Sequence, residues 1–177
     1  MRLAGYSGPM RAFFTHEKGV GRGKMTGLDE VDSQLLTEVQ KDAMLTAQEL
    51  GDRLNLSPSQ AGRRRQRLEA DGYITGYSAK LDPDRLGLSV QAFVQVQMAS
   101  HAPEMARSFA SLIAKQTEVI SAWAMTGEAD YLLRVWCADL AGLHHLTHKV
   151  LLPHAAVGRV QSQIVMDQFK QDAALPT

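Results

Sequence analysis

The sequence is poor in several features that define large classes of proteins. It has one cysteine, Cys137, in 177 residues, and it has no long uninterrupted apolar run. A single cysteine excludes an internal disulfide and fits a reducing compartment. Because neither a membrane-length apolar segment nor an apolar signal-peptide region is found, we expect a cytoplasmic protein without a membrane partner.

The chain also lacks net charge, since 19 basic residues balance 19 acidic ones. The charges are nevertheless distributed unevenly. Residues 1–24 contain five basic residues and one acidic residue, and residues 25–80 contain seven basic and nine acidic residues, with four of the seven between positions 63 and 67. A local basic cluster can bind an anionic polymer even when the isoelectric point is neutral. With 45% hydrophobic residues, the chain can form one or two small cores.

Two helix-start signatures precede the arginine cluster. In Thr46-Ala47-Gln48-Glu49 and Ser57-Pro58-Ser59-Gln60, the hydroxyl can accept from the backbone three residues on, while Glu49 or Gln60 reaches back. Only Leu54-Asn55-Leu56 lies between the two helices, and Asn55 tolerates the left-handed conformation that such a turn needs. This pattern predicts a helix-turn-helix.

The second of these helices carries the arginines. On a helical wheel, Ala61, Arg65 and Leu68 fall on one side, and we expect the Arg65 stem to lie over apolar surface with its guanidinium reaching solvent. A solvated charge run on an ordinary surface helix is the alternative interpretation, which two capping boxes around a tight turn disfavour. Arginine and glutamine can read base edges, and further cations neutralise phosphates. The predicted DNA-binding residues are Ser57, Ser59, Gln60, Arg63, Arg64, Gln66 and Arg67.

The surrounding pattern suggests the domain organisation. Residues 1–24 are rich in glycine, which predicts a flexible extension; Met25 is an alternative start, and a basic arm on DNA phosphates is a further possibility. A first helix with an acidic entry begins after Leu28, and Asp71-Gly72 ends the arginine helix. We therefore predict a helix-turn-helix domain at residues 25–76, a linker at 77–86 and a second domain at 87–177.

Beyond Gly87 the pattern predicts an α+β domain of the ferredoxin-like βαββαβ type. Strands are expected at 90–98, 118–125, 131–137 and 157–166, and helices at 103–115 and 140–152. Both helices should cover one face of an antiparallel sheet. The other face carries Phe93, Trp123 and Trp136, so it should find a partner in a dimer.

Other candidate chemistry is sparse. His144, His145 and His148 include an i, i+4 pair, but no acidic or cysteine third ligand lies nearby, so we expect no metal. Cys137 alternates with core positions and is expected to be buried. We predict no catalytic residues and no cofactor. The alternative function is a ferredoxin-like amino-acid-sensing module or small-molecule enzyme whose N-terminal helices mediate protein contacts.

Several stretches resemble the Lrp/AsnC (leucine-responsive, or feast/famine) transcriptional regulators. They are Leu28-Asp29-Glu30-Val31-Asp32, Leu56-Ser57-Pro58-Ser59, Arg67-Leu68-Glu69, Gly76-Tyr77, Leu81-Asp82-Pro83, residues 126–133 and Ala174-Leu175-Pro176. The resemblance implies an N-terminal winged helix-turn-helix and a C-terminal amino-acid-binding, dimerising domain. It also implies homodimers that assemble to tetramers, octamers or more. Independently, the recognition helix and the unpaired sheet face predict a symmetric dimer that binds a pseudopalindromic operator in double-stranded DNA. The family usually has an apolar residue where Arg65 stands and commonly has glycine where Asn55 stands.

The resemblance also implies an amino-acid effector at a subunit boundary. The matching positions are Thr126, Gly127, Glu128, Asp130, Gln163, Ile164 and Val165. A glycine turn can offer backbone N–H groups to the carboxylate of a zwitterion, and Asp130 can accept from its ammonium group. The alternative is that Gly127 only makes a hairpin turn and Asp130 only caps it.

Overall fold

The computed structural model describes residues 27–177, which divide into two compact units. The first unit extends to Tyr77 and includes Ala173–Thr177, and the second unit is Ser78–Asp172. The extension predicted at residues 1–24 and the alternative start at Met25 lie outside the described residues. Within residues 27–177, no helix is long and apolar enough to cross a membrane.

The first unit consists of three helices, α1 (Glu30–Lys41), α2 (Ala47–Leu54) and α3 (Pro58–Ala70). Both predicted capping boxes are present, at Thr46 before α2 and at Ser57 before α3. Asn55 adopts the left-handed conformation, with φ 54° and ψ 43°. The helix-turn-helix prediction is confirmed, and one hydrophobic core joins the three helices. It consists of Leu35, Leu36, Val39, Leu45, Leu50, Leu54, Ala61 and Leu68.

Two glycines in these helices have different surroundings, and we expect alanine to act on them with opposite signs. A Cβ at Gly51 would lie 2.7 Å from the carbonyl oxygen of Leu56, whereas a Cβ at Gly62 would lie 3.6 Å from the Cβ of Ala47. Gly62→Ala should therefore raise the free energy of unfolding by about 1 kcal/mol through helix propensity. Gly51→Ala should lower it by about 1–3 kcal/mol, because the turn backbone must shift. Urea unfolding followed by far-UV circular dichroism measures both changes, and changes of equal sign would contradict this account.

The last five residues of the chain pack on α1. The Oγ1 atoms of Thr37 and Thr177 are 2.7 Å apart. Gln40 makes two hydrogen bonds to the backbone of Leu175, donating to its carbonyl at 3.1 Å and accepting from its N–H at 2.7 Å. The sequence offers no local signal for this long-range contact.

The segment after α3 is extended. Gly72 has φ 79°, as predicted for a helix-ending glycine, and a short 3-10 turn occupies Asp84–Leu86. Between α3 and residue 89 of the described chain there is no β-strand. The wing that the family resemblance implies is therefore not formed as a strand in the single chain.

The second unit has the predicted βαββαβ order. Its elements are β1 (Val90–Met98), α4 (Pro103–Ile113), β2 (Val119–Ala124), β3 (Tyr131–Cys137), α5 (Leu140–His144, continuing as a π-helix at His145–Leu151) and β4 (Val157–Ile164). The sheet order is β2-β3-β1-β4 and every pair is antiparallel. The predicted strand and helix positions are confirmed to within two residues, except in α5.

The two faces of this sheet differ as expected. The face under the helices packs against them in a hydrophobic core, which includes Leu133 and Cys137 from β3 and Phe109 from α4. On the opposite face, Phe93 and Trp136 are half-buried, and the side chain of Trp123 is 45% exposed. The alternation of side chains in β1 and β3 thus confirms the period-two prediction.

The prediction of a regular α-helix at residues 140–152 was wrong in its second half. From His145 the helix widens to π geometry, and Leu152 N–H donates to the carbonyl of Thr147, five residues earlier. The buried Thr147 hydroxyl donates to the carbonyl oxygen of Leu143 at 2.9 Å, a type of bond that disturbs helix geometry. Hydrophobic periodicity does not distinguish α from π over two turns.

Candidate nucleic-acid interface and ligand site

Two of the arginines on α3 are held by carboxylates of α1. Arg64 Nη1 lies 2.7 Å from Asp29 Oδ2 and 2.7 Å from Asp32 Oδ1. Arg67 Nη2 donates to the other carboxylate oxygen of Asp32, Oδ2. Asp32 is fully buried, whereas the two arginine side chains are partly exposed, and the charge-assisted bonds between them fix α3 against the start of α1.

Asp32 also belongs to a third capping box. Its Oδ2 accepts from the backbone N–H of Asp29 at 3.2 Å, and Asp29 Oδ1 accepts from the N–H of Asp32 at 2.7 Å. From the sequence alone, these acids are identified only as the acidic entry of the first helix, where they complement the helix dipole, and their partners on α3 are missed. The available signal is Asp-x-x-Asp at a helix start combined with Arg-x-x-Arg on the third helix.

The prediction that the Arg65 guanidinium extends into solvent was wrong, because the side chain is only 22% exposed and the protein itself binds its guanidinium. Its guanidinium donates to the carbonyl oxygens of Leu45 at 2.7 Å and Ala43 at 3.0 Å, in the loop between α1 and α2. It lies 4.9 Å from the ring centroid of Tyr77, whose hydroxyl accepts from Nε at 2.9 Å. Backbone carbonyls and an aromatic face satisfy the guanidinium, so an arginine can occupy a position beside the core.

The remaining polar residues of α3 fall into two groups. Ser57 and Gln60 bond to each other in the capping box, with Gln60 Oε1 3.0 Å from both the backbone nitrogen and the hydroxyl of Ser57. Ser59, Arg63 and Gln66 are exposed, and among the described residues no carboxylate lies within ion-pair distance of Arg63. These three stand at i, i+4 and i+7, so they form one row along the outer side of α3.

An open cavity of about 300 Å³ lies beside this row. It is lined by Leu56, Gln60, Arg63, Arg64 and Arg67. Three guanidinium groups at its rim make it electropositive even after the two aspartates are counted. Such a surface suits a phosphate backbone.

The ion pairs of the first unit make its stability sensitive to acid. The guanidinium of Arg64 lowers the pKa of Asp29, Lys41 and Arg53 lower the pKa of Glu38, and the Thr46 backbone N–H lowers the pKa of Glu49. Because folding lowers each pKa, the stabilisation is complete above the ordinary values of 3.8 and 4.5 and is lost as the pH falls through the lowered values.

We therefore expect the urea concentration at the unfolding midpoint, followed by the helical circular dichroism signal, to be lower at about pH 3 than at about pH 5. Asp29→Asn should show a smaller fall than the parent, since it lacks one of the titrating groups. A midpoint that is equal at both pH values in the parent would contradict this assignment.

The turn between β2 and β3 contains the predicted ligand residues 126–130. Asp130 Oδ2 accepts from the backbone N–H of Met98 at 2.7 Å, so this oxygen has a structural task. The other oxygen, Oδ1, lies 3.6 Å from Nδ1 of His101. Gly127 has φ 118°, and the position that a Cβ would occupy is open space. Glu128 Oε1 lies 3.4 Å from Arg159 Nη1. Asp130 thus caps the turn and still presents one carboxylate oxygen.

The other three predicted ligand residues lie elsewhere in the same chain. Gln163 pairs with Phe93, Ile164 pairs with Ala92, and Val165 N–H bonds to Gln91, whereas the Asp130 turn bonds to Val96 and Met98. At about 3.3 Å per residue, the two groups are roughly 10–20 Å apart along β1. A single chain does not bring them together around one small molecule.

The cysteine and the potential metal ligands of the described chain show no arrangement for catalysis. Cys137 is buried, as predicted, and burial raises the pKa of its thiol. Among residues 27–177, no group of three or more potential metal ligands is found.

Ser108 Oγ lies 3.0 Å from His154 Nε2 and resembles a nucleophile with its base. However, Nδ1 of His154 accepts from the Ala156 N–H at 3.2 Å, so the ring hydrogen is on Nε2. In this tautomer the imidazole donates to the serine and cannot take its proton.

Comparison with known families agrees with both units. The AsnC-type helix-turn-helix domain matches residues 28–69, and the Lrp/AsnC ligand binding domain matches residues 91–175. The DNA-binding transcriptional activator DecR of Escherichia coli K12 is 34% identical over 149 residues, which cover 84% of this chain and 98% of that protein. The leucine-responsive regulatory protein of Klebsiella pneumoniae is 34% identical over 148 residues, covering 84% of this chain and 90% of that protein.

Solved structures give the same result. A transcriptional regulator from Neisseria meningitidis, crystallised in complex with L-Met, superimposes with a TM-score of 0.81 at 37% identity, covering 85% of this chain and 97% of the other. An AsnC family transcriptional regulator from Agrobacterium tumefaciens gives 0.78 at 32% identity, covering 84% and 97%. The chain belongs to the Lrp/AsnC family of DNA-binding transcriptional regulators.

Proposed function

We propose that α3 reads a pseudopalindromic operator in the major groove, with Ser59, Arg63 and Gln66 nearest the bases. The single observation that carries this proposal is the division of the α3 side chains. Asp29 and Asp32 hold Arg64 and Arg67 from behind, while the row at 59, 63 and 66 remains exposed. Arginine and glutamine in such a row match guanine and adenine edges, respectively. Arg64 and Arg67 are assigned to DNA phosphates. Ser57 and Gln60 are assigned to the start of α3, where this end of the helix faces the DNA backbone.

We further propose that the protein acts as a homodimer that assembles to tetramers, octamers or larger forms. The uncovered sheet face supports this proposal, because Phe93, Trp123 and Trp136 otherwise meet water. A twofold axis relates the two α3 helices of a dimer, and a pseudopalindrome has the same symmetry. Residues 25–76 then bind DNA, residues 77–86 link the domains, and residues 87–177 assemble the protein in the cytoplasm, where its DNA target is. The exposed row on α3 favours this function over the enzyme alternative.

An amino-acid effector is proposed at a boundary between copies. The Oδ1 of Asp130, which accepts no backbone hydrogen bond within residues 27–177 and lies 3.6 Å from His101 Nδ1, suits an ammonium group, and the open backbone at Gly127 suits a carboxylate. The distance between this turn and residues 163–165 supports a site completed by a second copy, in which Thr126, Glu128, Gln163, Ile164 and Val165 line the pocket. The L-Met bound by the Neisseria meningitidis relative makes methionine the first compound to test.

Titration with L-Met and then with the other amino acids should change the fluorescence of Trp123 and Trp136, which lie on the strands flanking the turn. The effector should change DNA affinity by roughly 5- to 150-fold, corresponding to about 1–3 kcal/mol of coupling. Asp130→Asn should abolish the response, since it removes the charge but keeps an oxygen for the Met98 N–H. Glu104→Gln, an exposed acid on α4, is the matched control.

If no amino acid changes fluorescence, assembly or DNA affinity, the effector part of the proposal fails. The same follows if Asp130→Asn responds like the parent. Neither outcome affects the assignment of α3, which the DNA-binding measurements test separately.

A further inference from the structure

Two histidines on the exposed side of α5 take no part in the sites described above. His144 ends the α-helical part and His148 lies in the π-helical part. Their rings are stacked, with centroids 4.4 Å apart and planes inclined by 12°. Both residues are exposed, so ions in solution can reach them.

Hydrogen bonding decides which nitrogen of His148 is free. The Thr147 hydroxyl has one hydrogen, which it donates to the Leu143 carbonyl oxygen at 2.9 Å. The same hydroxyl oxygen lies 2.9 Å from Nδ1 of His148, so it accepts the hydrogen of Nδ1. In the neutral ring, Nε2 therefore keeps its lone pair and points away from Thr147. Histidines that bind metals are commonly held in this way, by a protein oxygen at the second ring nitrogen.

We propose that His144 and His148 bind a divalent transition-metal ion, such as Zn²⁺ or Ni²⁺, with water completing its coordination. Two nitrogens on one tetrahedral ion are about 3.4 Å apart when each metal–nitrogen bond is near 2.1 Å. In the stacked arrangement the two lone pairs lie in nearly parallel planes, so the two exposed side chains must rotate until both lone pairs point at the ion. Imidazole nitrogens favour these ions over Ca²⁺ and Mg²⁺, which prefer oxygen ligands.

The site departs from the expectation of no metal, which rested on the missing third protein ligand. Two protein ligands and open water positions describe an exchangeable site rather than a structural one. A bound ion would also connect the α-helical and π-helical parts of α5, above the buried residues Leu143 and Leu146. Metal binding should therefore stabilise the folded second unit by mass action.

Isothermal titration of the full chain with Zn²⁺ in a non-coordinating buffer tests the proposal. The expected result is saturable binding of one ion per chain at this site, with affinity reduced at least tenfold in His144→Gln and in His148→Gln. His145→Gln is the matched control, because His145 is exposed and neighbouring but belongs to no stacked pair. Ca²⁺ should not bind at the site.

Thr147→Val tests the hydrogen-bond argument, since valine has a similar shape but no hydroxyl. We expect the affinity for Zn²⁺ to fall roughly tenfold. No saturable binding in the parent, or binding that survives both histidine substitutions, would overturn the metal site. A Thr147→Val variant that binds Zn²⁺ like the parent would overturn the assigned role of Thr147. Zn²⁺ should also raise the thermal unfolding midpoint of the parent but not of the two histidine variants.

Discussion

Asp32→Ala should lower the free energy of unfolding of the helix-turn-helix unit by about 1–3 kcal/mol. Asp32 is fully buried, accepts from both Arg64 and Arg67, and caps the backbone N–H of Asp29. Alanine leaves these donors without their buried acceptor, and unpaired charges near the core are costly. For a unit of about fifty residues, this loss is a large share of the total stability.

The measurement is urea unfolding of the full chain, followed by far-UV circular dichroism. Both tryptophans lie in the second unit, so their fluorescence should report an unchanged midpoint there. Glu30→Ala is the matched control, because Glu30 is an exposed acid in the same first turn of α1. Equal losses in Asp32→Ala and Glu30→Ala would show that the buried carboxylate does not hold α3.

Arg63→Ala should weaken operator binding by about 1–3 kcal/mol, or roughly 5- to 150-fold. Arg63 is the arginine of α3 that is exposed and that lacks a carboxylate partner among the described residues. If its guanidinium reads a guanine, the loss is concentrated on sequences that contain this base. If it binds a phosphate, all sequences lose affinity alike. The slope of the logarithm of the binding constant against the logarithm of the salt concentration then becomes shallower by about one.

Fluorescence anisotropy with operator and unrelated duplexes at two salt concentrations separates these results. Lys41→Ala is the control, because it removes one positive charge from the same unit but lies on α1 and pairs with Glu38. A loss for Arg63→Ala no larger than that for Lys41→Ala would remove Arg63 from the DNA-reading row.

Much of the fold follows from local sequence signals. Capping boxes at Thr46 and Ser57 define two helix starts, and Asn55 defines the turn between them, because each signal concerns neighbouring backbone groups. The alternation of side chains in β1 separates the two faces of the sheet, because successive residues of a strand point to opposite faces. The contacts of Asp32 with α3, and of Leu175 with α1, join residues far apart in sequence, so the pattern of one segment alone does not indicate them.

The site was predictable to a similar degree. The face of α3 follows from helical spacing, but the distinction between exposed Arg63 and paired Arg64 depends on tertiary contacts. Arg65 shows the same limit, since its acceptors are backbone carbonyls at positions 43 and 45. A helical wheel gives the direction in which a side chain leaves the helix, but it does not show which hydrogen-bond acceptors a neighbouring loop places there.

Selection of genomic DNA fragments by the full protein, followed by sequencing and footprinting, tests the central proposal most directly. The selection should be carried out near 50 and 200 mM salt, because non-specific binding to phosphates weakens steeply over this range. We expect enriched fragments to share a pseudopalindrome whose half-sites are about one helical turn, roughly 34–36 Å, apart. Fragments enriched no more than random DNA at the higher salt concentration, or protection without a shared sequence, would contradict sequence-specific recognition by α3.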